Sequence, residues 1–170
     1  MRGDPGTLVV SVAEAKAFLR LEHGDDDAIV AGLVRTAMAL CEAFTGQWLI
    51  VRNGQQRLAA ETGWQRLGMA PVLAIAGIGV ADVGLAAAEF ETRIDAAGTG
   101  WVRLVRPVEG AVATVRAGLG NDWNAVPEPL RQGIVRLVAH LYTHRDAADA
   151  GPPPTAVAAM WRPWRLLRLK

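Results

Sequence analysis

The chain has few of the side chains that enzymes and metal sites need. Its 170 residues include one cysteine, Cys41, one serine, Ser11, and three histidines. A single cysteine excludes an intramolecular disulfide framework and a cysteine-based zinc cluster. Ser11 opens a helix-capping pattern and has no histidine close to it in the sequence, which argues against a serine nucleophile.

The remaining candidate motifs for chemistry are incomplete. His140 and His144 could share a helix face, but Leu141 stands where the zinc-helix motif needs glutamate, and no third ligand is evident. Residues 25–27 are all aspartate and lack the alternating ligands and central glycine of a calcium loop. Residues 77–79 lack the third glycine and the following helix of a phosphate-binding loop. We therefore expect no metal, no cofactor and no enzymatic activity.

Long apolar runs and a strong net charge are also missing. No uninterrupted apolar run reaches the roughly 18–20 residues of a membrane span, and residues 1–5 lack the core of a signal peptide. We expect cytoplasmic synthesis and no membrane partner.

The formal charge is only +1, yet residues 1–99 hold eight basic against twelve acidic residues, and residues 100–170 hold ten against five. This asymmetry favours two different partner-facing regions over a nucleic-acid binder, which would be more basic overall.

The pattern predicts two helices near each end of the chain. Ser11-Val12-Ala13-Glu14 has the form of a capping box and begins a helix over about residues 12–20. The carboxylates of residues 25–27 are expected to cap a longer helix, which Gly46 ends in a left-handed conformation. A third helix begins at Pro127, and Thr155 caps a last short helix. The expected core side chains of the second helix are Ile29, Leu33, Ala37, Leu40, Cys41 and Phe44, and those of the third are Leu130, Ile134, Leu137, Val138, Leu141 and Tyr142.

Between these helices the sequence has the texture of a sheet. Short segments rich in β-formers are separated by turn residues, which predicts four to six antiparallel strands. The segments are 48–58, 72–80, 89–94, 101–105 and 112–117. Asn53-Gly54 could form a two-residue hairpin turn. Trp48, Trp64 and Trp101 are expected in the core or on a sheet face rather than as ligand platforms. We predict an α+β fold: a single domain in which helices over about 11–46 and 127–162 form a bundle, with an antiparallel β insertion over about 47–118.

The C-terminal residues 160–170 carry the strongest functional signal. Tryptophan and arginine dominate the energetics of protein interfaces, and here they recur beside leucines at a terminus. We predict that this tail docks on another protein, through Trp161, Arg162, Trp164, Arg165, Leu166, Leu167, Arg168 and Lys170. Four alternatives stay open: a tail folded onto its own helices, a short membrane-surface helix, a nucleic-acid-binding accessory protein that uses the tail cations, and an enzyme hidden in the β insertion.

The same segments resemble a known family, the head–tail connector or adaptor proteins of long-tailed phages and gene transfer agents. The matching stretches span nearly the whole chain: residues 11–20, 25–27, 41–47, 126–130, 141–145 and the Trp161-Arg162-Pro163-Trp164-Arg165 ending. The β insertion resembles the version found in gene transfer agent adaptors.

The resemblance implies a structural role in a virion or phage-like particle, at the head–tail junction, after assembly in the host cytoplasm. Family members form a ring of about twelve copies beneath the portal protein. Their C-terminal segment binds the portal, their lower face receives a stopper or tail-side connector protein, and DNA passes through the channel without specific recognition. On this basis the tail residues named above would be the portal-binding set.

Overall fold

The computed structural model describes residues 12–22, 24–81, 83–144 and 153–166, which form two compact units. One unit contains four helices and is built from the two ends of the chain, up to Leu49 and from Asp122 onward. The other unit, residues 50–121, contains the strands. The fold is mixed α+β, as the sequence predicted, with antiparallel pairing in every strand pair of the two sheets.

Four helices form the helical unit: α1 (Val12–Leu19), α2 (Asp27–Thr45), α3 (Glu128–Thr143) and α4 (Thr155–Trp161). The helices from the two chain ends pack together, with α3 against α1, α2 and α4. Gly46 ends α2 as predicted, with φ of 72° and its amide bonded to the carbonyl of Glu42. Pro154 rather than Thr155 is the N-cap of α4. Ser11 lies outside the described residues, so the predicted capping box, which needs its hydroxyl, stays a prediction.

The acidic start of α2 stabilises the unit in a way that the sequence did not predict. Asp26 is the N-cap residue, but its side chain makes no capping hydrogen bond. Its Oδ2 instead accepts a hydrogen bond of 2.7 Å from the hydroxyl of Tyr142 on α3. Asp27 forms an ion pair of 2.6 Å with Lys16 of α1. The predicted helix start is therefore confirmed, whereas the predicted cap is wrong, because these carboxylates join α2 to its neighbours.

We expect Tyr142→Phe to lower the free energy of unfolding by about 1.5–3 kcal/mol, the usual net value of a hydrogen bond to a charged group, here the Asp26 carboxylate. The check is urea denaturation followed by circular dichroism. Thr143→Ala is the matched control, because the hydrogen bonds of the Thr143 hydroxyl among the described residues are to groups within four positions of it. Equal stability of Tyr142→Phe and the wild type would contradict the stabilising role of this bond.

The buried face of α2 differs from the predicted one by a rotation of about one residue. The buried side chains of this helix are Val30, Val34, Ala37, Met38, Cys41 and Thr45. Ile29 and Leu40, two of the predicted core residues, are 46% and 38% exposed. Both series have the three- and four-residue spacing of a helix, since α2 carries apolar residues around most of its circumference.

Burial raises the pKa of the Cys41 thiol well above its usual range, which makes it an inert core residue.

By length and composition α2 is also the one helix in the described ranges that could cross a membrane, with a mean hydropathy of 1.5 over its most apolar window. Core helices of soluble proteins meet the same criterion. Its buried face packs against the other three helices of the unit. We therefore interpret α2 as one of the packed helices of this unit.

The described residues of the β unit form seven strands in two sheets. In chain order these are β1 (Arg52–Arg57), β2 (Gln65–Arg66), β3 (Val72–Val80), β4 (Val83–Gly84), β5 (Phe90–Ile94), β6 (Gly100–Leu104) and β7 (Val112–Ala117). The four-stranded sheet has the order β1-β7-β3-β4, and the three-stranded sheet the order β2-β6-β5. Five strands match predicted segments, while the two-residue strands β2 and β4 were not predicted, since so short a segment carries no alternation.

The predicted hairpin at Asn53-Gly54 is wrong. Both residues lie inside β1, where they pair with Arg116 and Val115 of β7. A turn at this point would need a following strand that pairs back on β1, but β1 pairs with the last strand of the unit instead. Tertiary pairing thus overrides the local turn preference.

Candidate docking surface

The C-terminal segment from α4 to Leu166 returns to its own helical unit. After α4 the chain makes a short 3-10 turn over Arg162–Trp164 and then an extended step. The amide of Leu166 donates a hydrogen bond of 2.8 Å to the carbonyl of Thr45, at the end of α2. The side-chain amide of Gln47 donates to the carbonyl of Trp164. These two bonds fix the direction of the chain up to residue 166.

Trp161 is a core residue of the helical unit, with no exposed surface. Its indole Nε1 lies 3.4 Å from the carbonyl oxygen of Leu130, and its ring meets that of Phe44 at a centroid distance of 5.8 Å. It lies so close to α3 that a Cβ on Gly133 would come within 2.1 Å of Nε1. The prediction that Trp161 contacts a partner directly is corrected here. Burying the indole between α2 and α3 removes a large apolar surface from water, while its nitrogen keeps a polar partner in the Leu130 carbonyl.

Three side chains of residues 162–166 are exposed, and one of them, Pro163, is apolar. Arg162 and Arg165 are exposed, while Trp164 and Leu166 are half-buried. The guanidinium of Arg165 lies 5.8 Å from the Phe44 ring centroid, a cation–π distance that limits its freedom of movement. Among the described residues of this segment, two cations therefore face outward on a fixed backbone. Leu167, Arg168 and Lys170 of the predicted set lie outside the described residues.

The described ranges contain no cluster of side chains suited to metal binding. No group of three or more His, Cys, Asp or Glu residues there could hold a metal ion. The ring centroids of His140 and His144 lie 4.3 Å apart, and the Nδ1 of His144 lies 2.9 Å from the carbonyl of His140.

In the β unit a groove of about 660 Å³ runs along β3 and β4. Arg57 is the one titratable side chain among its described lining residues, and these offer no acid–base pair of the kind that hydrolytic catalysis requires.

Sequence reasoning missed how the segment is held. Gly133 lies in the middle of α3, where glycine weakens a helix. Such a glycine indicates close approach of another element, and this was the available signal for the Trp161 pocket. Gln47 carried no comparable signal, because its partner is a backbone carbonyl 117 residues away.

No family model and no curated protein matches the sequence. Solved structures do match it. A chain in the neck of an empty gene transfer agent particle, determined with C6 symmetry, is 29% identical, with a TM-score of 0.77. A chain in the native gene transfer agent virion is 28% identical with a TM-score of 0.78, and one in the native neck with C12 symmetry is 27% identical with a TM-score of 0.77. Each match covers 100% of this chain and 95% of the other.

These matches span both units, and each is to a component of the same kind of particle. Full coverage at this level of similarity includes the β insertion, the part that distinguishes this chain from a plain helical bundle. The resemblance drawn from the sequence is thereby confirmed, and so is the predicted location: over its whole length this chain is similar to structural components of the gene transfer agent neck, as expected of an adaptor-like protein at the head–tail junction of a phage-like particle.

Proposed function

We propose that this protein is a non-enzymatic head–tail adaptor that forms a ring beneath the portal and connects it to a stopper or tail-side protein. DNA would pass through the ring without specific recognition. The observation that carries the proposal is the full-length similarity to neck components solved with C6 and C12 symmetry. Those symmetries support a ring of many copies, consistent with the twelve that the sequence resemblance implied.

The geometry of the C-terminal segment supports the portal as its partner. Buried Trp161 and the bond from Leu166 to Thr45 hold the segment in one direction, so little conformational entropy is lost on docking. Arg162, Trp164, Arg165 and Leu166 then form the described part of the portal-binding surface, and the residues after 166 would extend it. Trp161 is a positioning residue in this scheme.

The proposed mechanism is multivalent. Each tail makes a small contact, and a single contact of this size binds weakly. When neighbouring subunits also bind one another, every further contact becomes intramolecular, and the assembled ring dissociates far more slowly than one subunit. Subunits are expected to remain monomeric until the portal collects them.

A second candidate function rests on the exposed cations Arg162 and Arg165. Together with residues 168 and 170 they could contact phosphates in a nucleic-acid-binding accessory protein. That function predicts DNA binding that weakens steeply with salt and does not depend on the portal.

The test is co-sedimentation with the cognate portal ring at low and moderate salt. We expect the wild type to bind stoichiometrically and Arg162→Glu/Arg165→Glu to bind at least about tenfold more weakly, equivalent to about 1.4 kcal/mol per subunit. Arg136→Glu is the matched control, since Arg136 is an exposed arginine on α3 outside the segment. A truncation after Leu166 tests the last four residues. Truncation before Trp161 is unsuitable, because it removes a core side chain.

Three outcomes would contradict parts of the proposal. Failure of the wild type to bind the portal would overturn the adaptor role, and salt-sensitive binding to duplex DNA in the same samples would favour the accessory function. Wild-type binding by both the double variant and the truncation would place the portal contact elsewhere. Equal weakening by Arg136→Glu would show a general charge effect.

A further inference from the structure

The three-stranded sheet β2-β6-β5 has one buried face and one outward face with an unusual composition. Val102 and Leu104 of β6 have no exposed surface, so their face is packed in the β unit. Because side chains alternate along a strand, Trp101 and Arg103 lie on the opposite face. There the register places Arg93 and Arg66 on either side of Trp101.

A second row of side chains lies next to the row formed by Arg66, Trp101 and Arg93. Arg103 pairs in register with Glu91, and the two form an ion pair of 2.6 Å. Trp64, immediately before β2, lies under Arg103 with 5.6 Å from the guanidinium carbon to the ring centroid. The face formed by Trp64, Arg66, Glu91, Arg93, Trp101 and Arg103 is called the Trp–Arg face below.

Arg93 is the central residue of this face. Its guanidinium carbon lies 5.0 Å from the Trp64 ring centroid and 5.6 Å from that of Trp101. Two indoles therefore hold it in place on an exposed surface. No carboxylate among the described residues pairs with it, whereas Arg103 has Glu91. A guanidinium stacked on aromatic rings keeps its N–H edge free for a carboxylate or phosphate.

The charges of the face favour a protein partner over a nucleic acid. Glu91 lies within it, and Asp95 is adjacent, with its Oδ2 3.5 Å from the Trp101 indole nitrogen. Hydrogen bonds, first from the Thr99 amide and then from Trp101, lower the pKa of Asp95, which keeps that carboxylate charged at neutral pH. A phosphate backbone would meet both carboxylates. A folded protein surface can place its acidic groups opposite Arg93 and Arg66 and away from Glu91 and Asp95.

We propose that this partner is a second copy of the chain, through the acidic corner between α1 and α2 formed by Glu22, Asp25 and Asp27. This inference rests on the proposed ring, which needs a head-to-tail contact between two different surfaces of one chain. The corner and the Trp–Arg face belong to different units and share no residue. Their charges are complementary.

Asp25 is the residue of the corner that is available for such a contact. Asp27 is paired with Lys16, and neighbouring Asp26 with Tyr142. Asp25 is exposed and forms no ion pair with any described residue. Arg93 and Asp25 are therefore two single charges of opposite sign, each on a structured surface. A contact between Arg93 of one copy and Asp25 of the next would give each of these charges a partner of opposite sign.

The experiment measures how many subunits load onto the portal ring, by analytical ultracentrifugation or mass photometry. Arg93→Glu and Asp25→Arg should each reduce loading at a given concentration, with at least a tenfold rise in the concentration needed for half-occupancy. An equimolar mixture of the two single variants should restore loading, because every contact between alternating copies again joins a basic and an acidic side chain at positions 93 and 25. Arg57→Glu, which changes an exposed arginine of the same unit, is the matched control and should load normally.

The outcomes separate this inference from the proposed function. If the wild type fails to load, the adaptor role fails. If the wild type and both single variants load equally, the adaptor role stands and the inference is wrong. If both variants fail and the mixture does not recover, these surfaces do not meet, and the inference is again overturned. A misfolded variant could not be rescued by mixing, so recovery has one interpretation. Loss of loading by Arg57→Glu would indicate a general charge effect and would overturn the pairing.

Discussion

Trp161→Ala is expected to lower the free energy of unfolding of the helical unit by about 3–5 kcal/mol, the cost of removing a large aromatic side chain from a packed core. The indole has no exposed surface and fills the space between Phe44 and Gly133. Its removal leaves a cavity that helices fixed by other contacts cannot close. Guanidinium denaturation followed by far-ultraviolet circular dichroism measures the loss.

Trp164→Ala is the matched control for this experiment. Trp164 is half-buried and three residues further along, and its described bond uses the backbone carbonyl, which alanine retains. We expect a loss of about 1 kcal/mol at most. If the two variants proved equally stable, Trp161 would not be the side chain that fixes the C-terminal segment.

Gly133→Ala is expected to cost about 1–3 kcal/mol, although alanine is the better helix former. The new Cβ would lie 2.1 Å from Nε1 of Trp161, so α4 or the indole must move. The gain from helix propensity, up to about 1 kcal/mol, offsets only part of this strain. Thermal and chemical denaturation of the purified variant would measure the net effect.

A double-mutant cycle tests the cause. Trp161→Phe removes the indole nitrogen that the new methyl group would meet, so the two changes together should cost less than their sum by about 0.5–3 kcal/mol. Additive costs would mean that the strain arises elsewhere. Gly32→Ala in α2 is the control glycine, since its nearest neighbour is the end of a flexible arginine at 4.0 Å, and it should be neutral or stabilising.

Both Trp161→Ala and Gly133→Ala bear on the proposed function because they change how the C-terminal segment is held. Neither removes a side chain that is proposed to contact the portal. The segment that precedes residue 167 is fixed by Trp161, by Gln47 and by the bond from Leu166 to Thr45. A variant that loosens this attachment would weaken portal binding without removing any portal-binding side chain. The stability measurements should therefore precede the co-sedimentation assays, so that a loss of binding can be attributed correctly.

The C-terminal segment itself was only partly predictable. Its residue types predicted an interface, which stays a prediction, and Arg162 and Arg165 are exposed. Whether Trp161 faces a partner or its own core could not be decided, since both environments favour tryptophan. The Trp–Arg face was harder still, because its members come from three strands whose order in the sheet is not the order in the sequence.

The sequence by itself determined the types and approximate bounds of the helices and of the five longer strands, the α+β class, and the glycine that ends α2. These features depend on spacing and turn residues within a few positions of one another. Tertiary structure alone decided which face of α2 is buried, that Asn53 and Gly54 lie inside a strand, and that Trp161 lies in the core. It also brought Arg93 between two indoles. In each case the deciding partner is distant in sequence, and local spacing carries no information about which distant surface an element will meet.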